Sequence, residues 1–354
     1  MAGYIGSHAV ATQVDGYTQT ETQALLGNRC LIMNAAMSCS QRSTSEAGVT
    51  SGGYYTVDRF QVNMSAGSTW TMTQEADGPA GFANSVKLAV TSTDAVTASE
   101  YIRLEHRIEA QDLQHLEYGA AGAKSVTLSF WTKASTTGTY AVTLFSHDGT
   151  RQIGSTFTVA SAGTWEEHSV TFAGDVSGTI NNDNGRGLDI AWYLDAGSSL
   201  TTTDNTSWAG YIAGATAYGH AVALGNTGSG SFQITGIQLE VGSATPFEHE
   251  NYGQTLAKCQ RYFCWLATAA GWTYSSTGVT FSYVFPVSMR ATPTLAVVNG
   301  TGGVLQVQVA QRDLSSIAAA PSNIGGRSTA TIATSAAGAF HILEDNVVSA
   351  SAEL

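Results

Sequence analysis

Residues 231–263 (SFQITGIQLEVGSATPFEHENYGQTLAKCQRYF) constrain the fold more than any other stretch of this chain. Phe232 and Ile234, then Ile237, Leu239 and Val241, alternate with polar residues, the period of a strand with one buried face. Thr235-Gly236 falls between the two runs, shifts their phase and predicts a bulge. Pro246 ends the strand, because proline has no N–H to give to a ladder and restricts the residue before it. The spacing of Tyr252, Leu256, Cys259 and Phe263 then predicts one short helix over 252–263 with a single apolar face. Such a helix, with β-rich sequence on either side, must dock on a domain or on copies of itself.

Short alternating segments bounded by Gly, Ser, Thr and Asn recur along the chain. They predict strands over 30–37, 54–64, 69–73, 85–90, 126–131, 140–146, 154–159, 167–172, 187–194 and 219–224. Residues 101–118 (YIRLEHRIEAQDLQHLEY) concentrate charge and histidine and read as a strand followed by a short connection or a single helical turn. After the helix, Val279, Phe281, Tyr283 and Phe285 alternate, and further strands are expected to the end of the chain. The expected class is all-β: an antiparallel β-sandwich of jelly-roll type, a short helical neck and a smaller β-sandwich tip. The division is 1–28, 29–250, 251–264 and 265–354. The last segment has few bulky core residues and is marginal alone, which favours three copies sharing one core. No repeat points to a solenoid.

Composition narrows the function. Charged residues are 12% and hydrophobic residues 43%, the reverse of a disordered chain. The net charge of −12 and the lack of any basic run argue against binding through nucleic-acid phosphates. Cys30, Cys39, Cys259 and Cys264 are too few for a disulfide scaffold, and none has the CxxC spacing of a metal or redox site, so buried free thiols are expected. The opening residues lack the pattern of a signal peptide, and no apolar run approaches the roughly 18 residues of a membrane span.

The run IQLEVGSATPFEHENYGQTLAKCQRYF resembles a segment that recurs in bacteriophage tail fibres and related virion adhesins. Residues 28–42 (NRCLIMNAAMSCSQR), 54–60 (YYTVDRF), 285–294 (FPVSMRATPT) and 350–354 (ASAEL) resemble further segments of that family in the same order. The resemblance implies a β-sandwich followed by a receptor-binding tip, located on a virion tail assembled in the host cytoplasm. It implies a homotrimer that adsorbs to a host-surface glycan such as lipopolysaccharide. It also implies attachment of residues 1–28 to a tail, baseplate or adaptor protein, with Tyr4, Ile5 and Tyr17 as the attachment candidates. The helix residues Tyr252, Leu256, Cys259 and Phe263 are the trimer-interface candidates.

Three chemistries are open to the residue types in this chain. Paired carboxylates could cleave polysaccharide, and Glu105, Glu109, Asp112 and Glu117 lie in one segment. Ion pairs with Arg103 and Arg107 are the preferred reading, and no catalytic residue is assigned. Glu166 and Glu167 are adjacent on a strand and point to opposite faces. The oxygen-rich turn Asn181-Asn182-Asp183-Asn184-Gly185 could suit a structural Ca²⁺. It lacks the glutamate of a calcium loop, with Trp192 in that place, and is better read as a hairpin turn with Gly185 at positive φ. No metal or other cofactor is expected. Sugar binding asks for aromatic faces beside short polar side chains. Asn205, Trp208, Tyr211 and Tyr218 form one such group and Trp272 with Tyr274 another. The expected function is a non-enzymatic tail-fibre adhesin. The alternatives are a polysaccharide-degrading tailspike enzyme and a purely structural tail or capsid-decoration protein.

Overall fold

The computed structural model describes residues 29–266, 269–298, 304–306, 310–332, 340–343 and 347–354. Tyr4, Ile5, Tyr17 and the rest of the expected attachment segment lie outside these residues. The first half runs β1 (Ser45–Val49), β2 (Phe60–Met64), β3 (Thr69–Glu75), β4 (Ser85–Ser92), β5 (Tyr101–Glu109) and β6 (Val126–Ala134). It continues with β7 (Gly138–Ser146), β8 (Arg151–Val159), β9 (Glu166–Phe172), β10 (Arg186–Ala196), β11 (Ala209–Gly210) and β12 (Ser231–Val241). One helix follows, α1 (Tyr252–Gln260). The remainder is β13 (Phe263–Trp265), β14 (Ala269–Thr273), β15 (Gly278–Val284), β16 (Thr294–Val297), β17 (Val304–Gln306) and β18 (Ala310–Arg312). It closes with β19 (Leu314–Ile317), β20 (Gly325–Ile332), β21 (Phe340–Leu343) and β22 (Val348–Ser351).

β1–β12 make two six-stranded antiparallel sheets, ordered β1-β3-β4-β12-β6-β9 and β11-β8-β7-β10-β5-β2. Their inner faces carry Trp70, Leu88, Phe130 and Phe232 from the first sheet, against Leu104, Val142, Leu188 and Trp192 from the second. All are buried, and each such side chain contributes roughly 1.5–3 kcal/mol through removal from water. Phe130 and Trp192 meet edge to face at 5.9 Å across the sandwich. The expected bulge is present: the β12–β6 register shifts between Thr235 and Gln238, and Gly236 has φ +60°. A Cβ at Gly236 would lie 2.7 Å from the Phe82 ring, so glycine is needed for space as well as for conformation.

Several sequence expectations are corrected. Residues 30–37 are not a strand, because Asn34 and Met37 both have positive φ. The segment instead lies along β12 through Leu31 N–H to Leu239 O (2.9 Å) and Ile237 N–H to Ala35 O (3.1 Å). Residues 219–224 are not a strand: they run irregularly from a turn at Gly219 into a short 3-10 helix that starts at Leu224. The turn at 181–185 joins β9 in one sheet to β10 in the other, so it is a crossover rather than a hairpin, and Gly185 does not have positive φ. It is held by its own polar groups: Asp183 Oδ1 accepts from Gly185 N–H (2.8 Å), and Asp148 takes both the N–H and the Nδ2 of Asn181. Helix α1 starts at the expected place, where the Asn251 side chain accepts from Gln254 N–H (3.0 Å). It ends at Gln260, and Phe263 already belongs to β13.

The residues after α1 form a three-stranded sheet, β13-β22-β16, and a seven-stranded sheet, β18-β17-β21-β14-β15-β20-β19. They have their own core, including Phe281, Leu295, Leu314 and Val348. This unit is docked on the sandwich and is not held away from it on a neck. Glu109, at the end of β5, accepts from Arg261 Nε and Nη2 (2.8 Å each) and from Tyr262 Oη (2.5 Å). Glu353 pairs with Arg42 (2.9 Å) and with the fully buried Arg59, whose guanidinium lies 3.5 Å from the Tyr262 ring centre.

Candidate functional site

The site grows out of β5 and β10. Along β5, Ile102, Leu104 and Ile108 face the core while Arg103, Glu105, Arg107 and Glu109 face out. Along β10, Leu188, Ile190, Trp192 and Leu194 face in while Asp189, Ala191 and Tyr193 face out. Antiparallel pairing sets Arg103 opposite Tyr193, Glu105 opposite Ala191, Arg107 opposite Asp189 and Glu109 opposite Arg186. From β2, Gln61 pairs with Glu105 and Asn63 with Arg103. The outer face of this sheet is therefore a lattice of alternating charge.

Its geometry is tightly specified. Glu105 accepts from Arg103 (2.6 Å), Arg107 (3.2 Å), Gln61 Nε2 (2.6 Å) and Asn63 Nδ2 (3.0 Å). Arg103 also donates to Tyr193 Oη (2.7 Å). Arg186 grips Asp189 with two donors, Nε to Oδ1 at 2.7 Å and Nη2 to Oδ2. Burial works to raise the Glu105 carboxyl, but the Arg103, Arg107 and Arg186 charges outweigh it and hold it below the usual range. At Asp189 burial wins over Arg186, and its carboxyl is raised.

Two covers leave part of this face open. Leu200 and Ala217 pack on Ala141, Ala191 and Tyr193 at one side, and Arg107 donates to the Leu354 carbonyl at another. What remains is a cleft of about 240 Å³ bounded by Arg103, Glu105, Gln152, Arg186, Asp189 and Tyr211, with Phe145 and His147 beside them. Tyr211 is 50% exposed and stands edge-on to Phe145 at 5.6 Å. Its loop is tied down by Tyr211 N–H to Thr150 O (2.9 Å) and Gln152 Nε2 to Ile212 O (2.9 Å). A larger hollow of about 610 Å³ lies between residues 30–38 and α1. Its charged groups are matched as those of the cleft are: Glu250 is bound by Lys258 (2.5 Å) and Thr255 (3.0 Å).

Of the sugar-binding candidates, only Tyr211 lines the cleft. Asn205 is buried and structural: its Nδ2 donates to Ala215 O (2.5 Å) and its carbonyl accepts from Gly154 N–H (2.7 Å). Trp208 donates from Nε1 to Ala173 O (2.6 Å) and packs edge-on against Tyr118. Tyr218 is half-buried. Trp272 and Tyr274 are exposed on the seven-stranded sheet, with Arg327 4.9 Å over the Trp272 ring. The two groups do not form one site. Of the trimer-interface candidates, Cys259 and Phe263 are buried inside the chain's own packing, Leu256 is half-buried and Tyr252 is exposed. Arg186 and Asp189 were missed from sequence: alternation with Leu188 and Ile190 marks Asp189, whereas Arg186 shares their parity and reaches the outer face through the register shift between Arg186 and Leu188.

No protein-family profile and no curated protein matches this sequence. Solved structures that match part of this chain include tailspike protein 4 of bacteriophage CBA120, at 12% identity and TM-score 0.31 over 60% of this chain and 22% of that one. A CBM4 structure matches at 11% identity and TM-score 0.31, over 60% of this chain and 99% of that one. The family 11 carbohydrate-binding module of Clostridium thermocellum, solved with a mixed-linked tetrasaccharide, matches at 13% identity and TM-score 0.29, over 58% and 98%. These values are too low to place the chain in any of their families.

Proposed function

We propose that this chain is a non-enzymatic glycan-binding adhesin of a phage tail fibre, and that it contacts sugar in the cleft beside Tyr211. The observation that carries the reading is the half-exposed Tyr211 ring standing beside donors and acceptors that are already locked in place. An aromatic face offers a surface for sugar C–H groups, while guanidinium and carboxylate edges suit hydroxyls. Because Arg186, Asp189, Arg103 and Glu105 are ordered by one another, little further ordering is lost on binding. The cleft volume suits one ring of a surface glycan such as lipopolysaccharide rather than a long stretch of chain. Homotrimerisation, attachment through residues 1–28 and a place on the virion tail are supported by the sequence resemblance alone. Three linked copies of a weak site would then act through avidity.

The enzyme reading has one observation in its favour, two carboxylates in one cleft with their acidities pushed apart. Both are fully engaged by arginines, which leaves neither free to donate a proton or attack a sugar.

The test is a glycan array on the full chain, followed by titration of the best ligand into wild type and Tyr211→Ala. Affinity should fall at least about tenfold, while the unfolding free energy stays within roughly 0.5 kcal/mol. Equal affinity would overturn the assignment of the site. Release of reducing ends from the ligand would overturn the non-enzymatic reading, and failure of the protein to block phage adsorption would favour a structural role.

A further inference from the structure

Cys39 lies in the loop before β1, Asp58 just before β2 and Cys259 in the last turn of α1. Their two Sγ atoms and a carboxylate oxygen nevertheless all lie within 4.8 Å of one another, and all three side chains are buried. Cys39 Sγ is 3.1 Å from Asp58 Oδ2. We propose that Cys39, Asp58 and Cys259 hold a zinc ion, with water as the fourth ligand.

The donor set and its size both fit. Zinc takes thiolates at about 2.3 Å and carboxylate oxygens at about 2.0–2.2 Å, so tetrahedral ligands sit roughly 3.5–3.8 Å apart. To reach that geometry the Cys39–Asp58 edge, at 3.1 Å, has to open by about 0.4 Å and the longest side has to close by no more than about 1 Å. The supporting contacts are those that orient a metal-binding carboxylate. Asp58 Oδ2 also receives Gln41 N–H (3.2 Å) and Gln41 Nε2 (2.9 Å), and its Oδ1 receives Arg42 (3.3 Å). One buried side chain, Asn34, fixes the backbone of two ligands at once. It donates to the carbonyls of Cys39 (2.8 Å) and Asp58 (2.9 Å) and accepts from Cys39 N–H (2.9 Å).

The charge around the site also balances. With both thiols protonated, Asp58 and Glu353 offset Arg42 and Arg59. Binding zinc releases the two thiol protons to solvent and adds a divalent cation, so the buried total does not change. The site lies one residue, or one helical turn, behind the wall of a hollow. The 610 Å³ hollow is lined by Ser38, the neighbour of Cys39, and by Thr255, one helical turn before Cys259. Such an ion would clip α1 to the sandwich.

The test uses the full chain, reduced and freed of metal by chelator. Cobalt(II) should bind in one equivalent with a thiolate-to-metal absorption band. The band should persist in Cys30→Ser and Cys264→Ser and vanish in Cys39→Ser and Cys259→Ser. In the wild-type protein, which avoids any question of misfolded variants, zinc should slow alkylation of Cys39 and Cys259 at least tenfold by peptide mass spectrometry. A band that survives in Cys259→Ser, or no zinc-dependent protection, overturns the proposal. So does a Cys39–Cys259 disulfide in freshly purified protein, which would make the pair a redox link formed by loss of two protons and two electrons to an external oxidant.

Discussion

At His220, Nδ1 accepts from Ala141 N–H (3.2 Å) while Nε2 donates to Val222 O (2.7 Å), so both ring nitrogens are committed with a single proton. Burial pushes the imidazole down to about 4, against the opposing pull of the backbone at Val222 and Leu194. The unfolded chain takes up this proton near pH 6.5, before the folded chain does, so the His220 contribution is complete above that pH and is lost as pH falls toward 4. The loss reaches up to about 3 kcal/mol. Asp195 has the opposite sign: burial raises its carboxyl to about 6, so the folded state takes its proton first and gains stability as pH falls below 6. Urea denaturation at pH 7 and pH 5 should therefore show His220→Gln losing less stability than wild type on acidification. An equal or larger loss would contradict this account of His220. At this scale the sequence was only partly readable. Tyr211, Trp208 and Asn205 all looked like aromatic and polar loop residues, and only the fold shows that Asn205 and Trp208 are spent on holding their own loop.

Among the elements, the strands with strict alternation were legible, since a period of two with β-branched and aromatic residues has few other solutions. β1 (SEAGV) was not, because an exposed edge strand needs no apolar face. Residues 30–37 misled for the converse reason: they are apolar because they cover β12, not because they pair in a sheet. The charged segment 101–118 was recognised as exceptional and a strand was expected over 187–194, but the pairing of β5 with β10 was not, because long-range register is invisible in one sequence. The contact between the sandwich and the second unit was equally hidden, and it carries a sharp prediction. Arg59 is fully buried with Glu353 as its counter-charge, whereas Glu353 also has Arg42. Glu353→Gln strands a buried cation and should cost about 3–5 kcal/mol, while Arg59→Met leaves a paired carboxylate and should cost distinctly less. Chemical denaturation of the two variants checks the order, and a milder effect for Glu353→Gln would count against the ionic clasp.

For the whole molecule, the expectation of a shared trimeric core rested on the second unit being too thin to fold alone. In the structure it has its own core and leans on the sandwich through Glu109, Arg261, Tyr262 and Glu353. The two units should therefore unfold together, giving one calorimetric transition in wild type and two in Glu353→Gln. Two transitions in wild type would mean that the contact is too weak to couple them. Where sugar binds is decided by a crystal structure of the full chain with the array-selected glycan. A sugar ring is expected against Tyr211, with hydroxyls bonded to the Arg186–Asp189 pair. A glycan bound at Trp272 and Arg327, or in the hollow beside α1, with the cleft at Tyr211 empty, would contradict that placement.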